Sequence, residues 1–178
     1  MVNTFVPWPD LQRSAKALDD KRLGKQRVEC LQIMKTLDCG PTQWFDPTDE
    51  VWKSARNSRL KDIRTRKTPW YNHPAVQQWK GWECTLMTYA DVICREWIRR
   101  GYADTVLNSL HALHFKDSTF HRATERQHGH NEFYTPWLGN EAYHASHRSN
   151  LLRKMPSHYK QFNWTEPDNL PYVWPSKL

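Results

Sequence analysis

The chain of 178 residues is long enough for one domain with a substantial core, and Lys plus Arg (26) exceeds Asp plus Glu (19) by seven charges. This excess suits an anionic partner such as nucleic acid. Ten tryptophans and an aromatic content of 13% argue against a disordered tail, because such residues build a core or stack on bases. The chain lacks a Gly-rich phosphate loop, a GxSxG elbow and an HExxH helix, which excludes the nucleotide-dependent and serine-hydrolase classes.

The sequence carries no targeting or membrane signal. Prolines, rather than an apolar run, follow the first residues, and no apolar run approaches membrane-spanning length. The cysteines form no CxxC pair and indicate free thiols in a reducing compartment; they are Cys30, Cys39, Cys84 and Cys94. We therefore expect a cytoplasmic protein without a membrane partner, formed by a single domain over residues 1–178.

Capping residues predict two helices near the start of the chain. Asp10 is a suitable N-cap for a helix through Leu18. Asp19 or Asp20 begins a second helix, which reaches about Leu37 before a glycine stops it. The two segments are either separate helices or one helix with a kink.

A long connector is predicted over residues 41–72, because it contains three prolines. Its middle, near residues 51–63, is a candidate helix. The connector is also basic, and this charge fits either a solvated loop or a phosphate-binding arm. Its cations are Arg56, Arg59, Lys61, Arg64, Arg66 and Lys67.

The clearest helical pattern starts at Pro74, a favoured first position, and ends in Arg99 and Arg100 before Gly101. Large apolar residues recur along it at spacings of three and four, which predicts one long amphipathic helix whose apolar face belongs to the core. The residues of this face are Trp79, Trp82, Leu86, Ala90, Ile93 and Trp97.

A last helix is predicted from about Glu141 to Lys154, with Asn140 as its N-cap and Pro156 beyond its end. Residues 118–140 before it are predicted to be irregular. The aromatic residues after His158 are expected to pack back onto the domain. The fold class is therefore mostly α: one compact helical domain with three main helices and long irregular connectors.

One face of the second helix combines cations with a single carboxylate. At 100° per residue, Arg22, Lys25, Gln26 and Glu29 lie within about 80° of one another. Glu29 is either half of a surface ion pair with Lys25, which would stabilise little, or a catalytic acid among phosphate-binding side chains. Arg27 falls inside the apolar arc of the same helix, where its charge needs a partner.

The start of the chain offers a second reactive group. Removal of Met1 before a small residue would place the free α-amine on Val2. With a pKa near 7.7–8.0, an α-amine is unprotonated far more often than a lysine, and it can form a Schiff base with an electrophilic sugar carbon. The alternative is an ordinary frayed terminus.

Histidines occur in close pairs, which raises the question of a metal site. The partners that would complete a known zinc spacing are absent, so we predict no metal and no cofactor. His73 precedes a helix N-terminus, where it could bind phosphate or simply cap the helix. The pairs are His111 with His114, His128 with His130, and His144 with His147.

Three segments resemble the phage-type pyrimidine-dimer DNA glycosylases, also called the endonuclease V type. Residues Leu18–Glu29 resemble the early helix of that family. Residues Asn72–Tyr102 are similar to its long second helix, including the histidine before the helix and the basic-basic-Gly-aromatic ending. Residues Tyr143–Lys160 resemble its last helix and aromatic tail. The three segments occur in the family's order and cover about half of the chain.

The resemblance implies a mostly helical domain whose N-terminus lies between helices and reaches the active site. It implies a DNA glycosylase, with or without AP-lyase activity, that excises a damaged or modified base, with a pyrimidine dimer as the leading candidate. Glu29 would be the catalytic carboxylate, and the amine of Val2 would attack C1′ of the damaged nucleotide, so that a Schiff base permits β-elimination. The partner would be kinked double-stranded DNA with an extruded nucleotide, bound by a monomer without a cofactor. We predict DNA contacts by nine residues: Arg22, Lys25, Gln26, His73, His144, His147, Arg148, Arg153 and Lys154.

Two other functions stay open on the sequence. The first is a DNA-binding protein of the same fold without catalysis, which would not depend on Glu29. The second is a histidine-dependent metal nuclease, which a chelator would inactivate.

Overall fold

The computed structural model describes residues 3–38, 70–115 and 135–175, with side chains over residues 3–37, 70–111 and 135–175. This part of the chain is mostly helical and contains no strand, which confirms the predicted fold class. Val2, Cys39 and the candidate helix at residues 51–63 lie outside the described residues. None of the described helices is both long enough and apolar enough to cross a membrane.

The described helices follow one another in a simple order, and a single 3₁₀ turn at Lys160–Phe162 comes last. The α-helices are α1 (Leu11–Ala17), α2 (Asp20–Asp38), α3 (Pro74–Gln77), α4 (Glu83–Arg99), α5 (Val106–Phe115), α6 (Glu141–Lys154) and α7 (Pro156–Tyr159).

The first two helices are separate, and acidic side chains begin both. The carboxylate of Asp10 accepts a hydrogen bond from the backbone N–H of Arg13 at 2.9 Å. Helix α1 ends at Ala17, and Asp19 Oδ1 then accepts from the backbone N–H of Arg22 at 3.1 Å. Each cap satisfies a backbone donor that has no partner within its helix, as the sequence predicted.

The single long helix predicted from Pro74 is wrong, because the chain breaks between α3 and α4. Gly81 adopts a φ of 81°, which a residue with a side chain rarely takes, and its N–H donates to Glu83 Oε1 at 3.0 Å. The break turns the indole of Trp79 fully into the core, where its Nε1 donates to Thr4 Oγ1 at 3.0 Å. Regular apolar spacing on both sides of the break concealed it.

Helix α5, which the sequence analysis did not predict, packs on α2 and α4. Asp104 begins it by accepting from the backbone N–H of Leu107 at 2.8 Å. The same carboxylate pairs with the guanidinium of Arg27, which also lies 4.3 Å from the ring centroid of Trp97. The charge predicted to need a partner inside the apolar arc of α2 therefore has one.

Helix α6 has the predicted bounds. Asn140 is its N-cap, and its side chain accepts from the backbone N–H of Tyr143 at 3.1 Å. The aromatic tail packs back onto the domain, as predicted: Tyr159 is fully buried, and its hydroxyl donates to Asp19 Oδ2 at 2.6 Å.

Residues 3–7 form a buried segment of irregular backbone between α2, α3, α4 and α6. Phe5 and Val6 belong to the hydrophobic core. Because irregular backbone buried in a core leaves polar groups to satisfy, side chains from the surrounding helices bond the backbone of Phe5 and Val6: Gln26, Tyr89, His144 and His147. Gln78, just beyond α3, donates to the side-chain hydroxyl of Thr4. This segment positions the functional site.

Candidate active site

A cavity of about 140 Å³ opens where α2 faces the N-terminal segment, the end of α6 and the C-terminal tail. All four residues of the polar face predicted on α2 line it, so the structure brings them together as expected. The described lining residues are Asn3, Phe5, Lys21, Arg22, Lys25, Gln26, Glu29, Lys154 and Tyr172.

Glu29 is the carboxylate of this cavity, and it is only 4% exposed. Its Oε2 accepts from Gln26 Nε2 at 2.7 Å, and its Oε1 lies 3.2 Å from the ammonium of Lys25. Burial raises the pKa of Glu29 above the usual glutamate range, and Lys25 opposes that shift. The predicted ion pair between Lys25 and Glu29 is present. It differs from a surface ion pair because the carboxylate of Glu29 is buried and only Lys25 is exposed.

A carboxylate in such a place can stabilise positive charge. It is held in one orientation before any reaction, and little water screens its charge. A sugar ring that develops cationic character within the cavity would therefore be stabilised electrostatically.

Gln26, which was predicted to contact DNA, is fully buried. Its Nε2 donates to the backbone O of Asn3 at 2.9 Å and to Glu29, while its Oε1 accepts from the backbone N–H of Phe5 at 2.9 Å. With the hydroxyl of Tyr89 also 3.0 Å from Oε1, the amide has no capacity left for a phosphate or a base.

Cations from two distant parts of the chain form the rim of the cavity. Lys21 and Lys25 are exposed on α2, and Lys154 is exposed at the end of α6. Arg22 joins the two helices, because its guanidinium donates to the backbone O of Lys154 at 3.1 Å and pairs with Asp19 at 3.3 Å. Partial burial lowers the pKa of Lys154.

The sequence analysis missed four of the lining residues. Lys21 precedes Lys25 by one helical turn, so the spacing argument could have included it. Asn3, Phe5 and Tyr172 come from irregular segments, where no periodicity indicates which way a side chain faces.

His144 and His147, which were also predicted to contact DNA, are fully buried against the N-terminal segment. His144 Nδ1 lies 2.8 Å from the backbone O of Val6, and its Nε2 accepts from the N–H of Gly139 at 2.9 Å. His147 Nδ1 accepts from the N–H of Val6 at 3.4 Å. Burial lowers the pKa of His147 to about 3, which keeps its ring neutral at physiological pH.

Arg148, another predicted DNA contact, has a guanidinium that is buried and paired. It donates to Glu166 Oε1 at 2.7 Å and to the backbone O of Pro7 at 2.9 Å, and it pairs with Glu141. It therefore anchors the N-terminal segment to α6 and the tail.

The remaining predicted residues lie outside the cavity. Arg153 is exposed and donates to Asn150 Oδ1. His73 caps α3, with its Nδ1 accepting from the N–H of Ala75 at 3.1 Å, which is one of its two predicted roles. In the part of the chain that the structure describes, no three His, Cys, Asp or Glu side chains are arranged to hold a metal ion.

A family model for pyrimidine dimer DNA glycosylase matches residues 2–109, more than half of the chain. The chain belongs to this family. The matched part of the glycosylase includes the N-terminal segment, α2 and Glu29, while Lys154 and Tyr172 lie beyond it. Neither the curated proteins nor the solved structures contain a match to the chain. The family resemblance inferred from the sequence is thus confirmed, and DNA is the partner that the family implies. Of the three segments, Leu18–Glu29 and Asn72–Tyr102 lie within the matched residues, and Tyr143–Lys160 lies beyond them.

The structure separates the cations of this glycosylase into a buried anchoring group and an exposed group at the cavity rim, which gives a first prediction. Arg148→Met leaves two carboxylates without their cation, so we expect the free energy of unfolding to fall by about 2–3 kcal/mol in urea denaturation. Lys154→Met leaves stability nearly unchanged but removes a charge at the cavity rim. Affinity for duplex DNA falls as salt concentration rises, and we expect the slope of log affinity against log salt to become less steep by about one in Lys154→Met.

The two variants control for each other, since each removes one positive charge. If folded Arg148→Met changed the salt dependence of DNA affinity as much as Lys154→Met does, Arg148 would also contact phosphate, and its role as an anchor alone would be contradicted.

Proposed function

We propose that this glycosylase excises a pyrimidine dimer from double-stranded DNA, with Glu29 as the catalytic carboxylate and a free α-amine on Val2 as the nucleophile. The protein acts as a monomer formed by one domain over residues 1–178. One observation carries the proposal: the buried carboxylate of Glu29 shares its cavity with Asn3, the residue that directly follows Val2.

The covalent link between Val2 and Asn3 supports a role for the amine at this cavity. The backbone O of Asn3 accepts from Gln26 Nε2 at 2.9 Å, and the same Nε2 donates to Glu29 at 2.7 Å. Consecutive Cα atoms are about 3.8 Å apart, so the α-amine of Val2 is one residue away from this fixed point.

The chemistry uses the two groups in turn. The unprotonated amine attacks C1′, and the glycosidic bond breaks with its electron pair leaving on the base, which takes up a proton. Glu29 stabilises the positive charge that develops on the sugar. Opening of the ring yields a Schiff base between Val2 and C1′, and loss of a proton from C2′ then expels the 3′ phosphate by β-elimination.

The cations at the rim support binding of DNA around this centre. Lys21, Lys25 and Lys154 are exposed beside the cavity opening, where they can neutralise phosphates on both sides of an extruded nucleotide. These contacts would hold the backbone without reading the sequence, which suits a protein that recognises a lesion.

Borohydride trapping tests the proposal. The protein beginning at Val2 is incubated with duplex DNA that contains a thymine dimer, an abasic site or no lesion. We expect a reduced covalent adduct with the first two duplexes, mapped by mass spectrometry to residue 2, and none with the undamaged duplex. An adduct with only the abasic duplex would refute dimer excision, and no adduct with either would refute the amine mechanism.

A further inference from the structure

The buried amide of Gln26 connects two parts of the proposed catalytic centre that are distant in sequence. On one side it bonds the backbone of Asn3 and Phe5, and on the other it bonds the carboxylate of Glu29. Tyr89 supports this arrangement from α4, since its hydroxyl lies 2.9 Å from the backbone O of Phe5 and 3.0 Å from Gln26 Oε1.

The partners permit only one orientation of this amide. Its Nε2 faces two acceptors, the backbone O of Asn3 and Oε2 of Glu29, while its Oε1 faces the N–H of Phe5. Reversal of the amide would place its oxygen against both acceptors and its NH₂ against a donor. Each neighbour therefore holds the amide in place, and the amide in turn holds Glu29.

We propose that Gln26 is a positioning residue that sets the place of the Glu29 carboxylate relative to the start of the chain. The inference rests on the proposed catalytic role of Glu29, and it concerns a residue whose amide already makes its hydrogen bonds within the protein. The nitrogen Nε2 of Gln26 donates to Glu29 Oε2 at 2.7 Å and to the backbone O of Asn3 at 2.9 Å, so one amide group fixes the carboxylate and the N-terminal segment relative to each other.

The amide also favours the ionised carboxylate, because it presents only hydrogens to Glu29. Burial works in the opposite direction and raises the pKa of Glu29. The charged and titratable groups that interact with Glu29 or line its cavity come from α2, α4, α6 and the two ends of the chain. They are Lys21, Arg22, Lys25, Cys30, Tyr89, Lys154, Tyr172 and the N-terminal amine. The amide of Gln26 is uncharged and cannot lose its proton near neutral pH, and a hydrogen bond from the backbone of Asn3 also favours the ionised form of Glu29.

A second buried glutamine provides a matched control. Gln78 is 4% exposed and also holds the N-terminal segment, through a bond from its Nε2 to Thr4 Oγ1 at 2.8 Å. Its Oε1 accepts from the hydroxyl of Tyr143 at 3.0 Å. Gln78 thus shares the burial of Gln26 and its contact with the segment but does not contact Glu29.

The test compares Gln26→Glu with Gln78→Glu. In Gln26→Glu two carboxyl groups lie within hydrogen-bond distance and share a proton, so the pair binds that proton at a higher pH than Glu29 alone. We expect the midpoint of the Glu29 titration, followed by ¹³C NMR and assigned by its loss in Glu29→Gln, to rise by at least about one pH unit. The acid limb of base release should move upward by the same amount, and Gln78→Glu should move neither.

The two readouts separate the inference from the function on which it rests. A midpoint that does not move in Gln26→Glu would overturn the inference. A midpoint that rises while base release does not follow it would leave the positioning contact supported and refute the catalytic role of Glu29.

If Gln26→Glu does not fold, Gln26→Met provides a second test of the inference. Methionine is unbranched and apolar and fills similar space without any donor. We expect kcat for base release to fall by about 100-fold with KM within about twofold, since an interaction that orients the reacting group acts on the chemical step. A folded Gln26→Met protein with wild-type kcat would overturn the inference.

Discussion

Replacing Glu29 with Gln is expected to lower kcat for base release from thymine-dimer DNA by about 10³-fold or more, because the charge that stabilises the sugar cation is lost. The amide keeps the shape of the side chain, so the fold should persist. Affinity for the duplex should stay equal or increase, since one negative charge disappears from a cationic surface. Single-turnover base release and equilibrium binding measure the two effects on the same protein.

Glu83→Gln is the matched control for this substitution. Glu83 is another buried glutamate whose pKa is raised by burial, but it lies at the start of α4 and accepts from the N–H of Gly81. We expect Glu83→Gln to change stability rather than base release. If Glu29→Gln released base at the wild-type rate, the protein would bind DNA by this surface without using Glu29, as the non-catalytic alternative requires.

Adding residues before Val2 is expected to abolish covalent trapping and strand cleavage. The extension turns the α-amine into an amide, which is not nucleophilic, and moves the new amine away from Asn3. Binding to undamaged duplex should change little, because the rim cations are untouched. The measurement is the yield of borohydride-trapped adduct and of cleaved strand from thymine-dimer and abasic duplexes.

A cleavable extension provides the control for this result. Its removal with a protease that leaves Val2 as the first residue should restore both trapping and cleavage in the same preparation. Full strand cleavage by the extended protein would refute the amine mechanism. Base release without strand cleavage by the extended protein would restrict the amine to the lyase step.

The sequence by itself determined the features that depend on neighbouring residues. Asp10 and Asn140 begin helices where their spacing predicted, because a cap bonds backbone groups only three residues away. The face of α2 that contains Glu29 followed from helical periodicity. The same periodicity placed Arg27 in an apolar arc, so its need for a partner was predicted but the identity of Asp104 was not.

Only the tertiary structure decided which polar residues are buried and which distant segments meet. His147, Arg148 and Gln26 look like surface groups in the sequence, yet other elements pack over each of them and use their hydrogen bonds. Lys154 reaches the cavity because α6 ends beside α2, more than a hundred residues away in the chain. Burial and proximity of this kind depend on long-range packing, which local spacing does not encode. The sequence therefore predicted the face of α2 at the candidate site but not the residues that irregular segments bring to it.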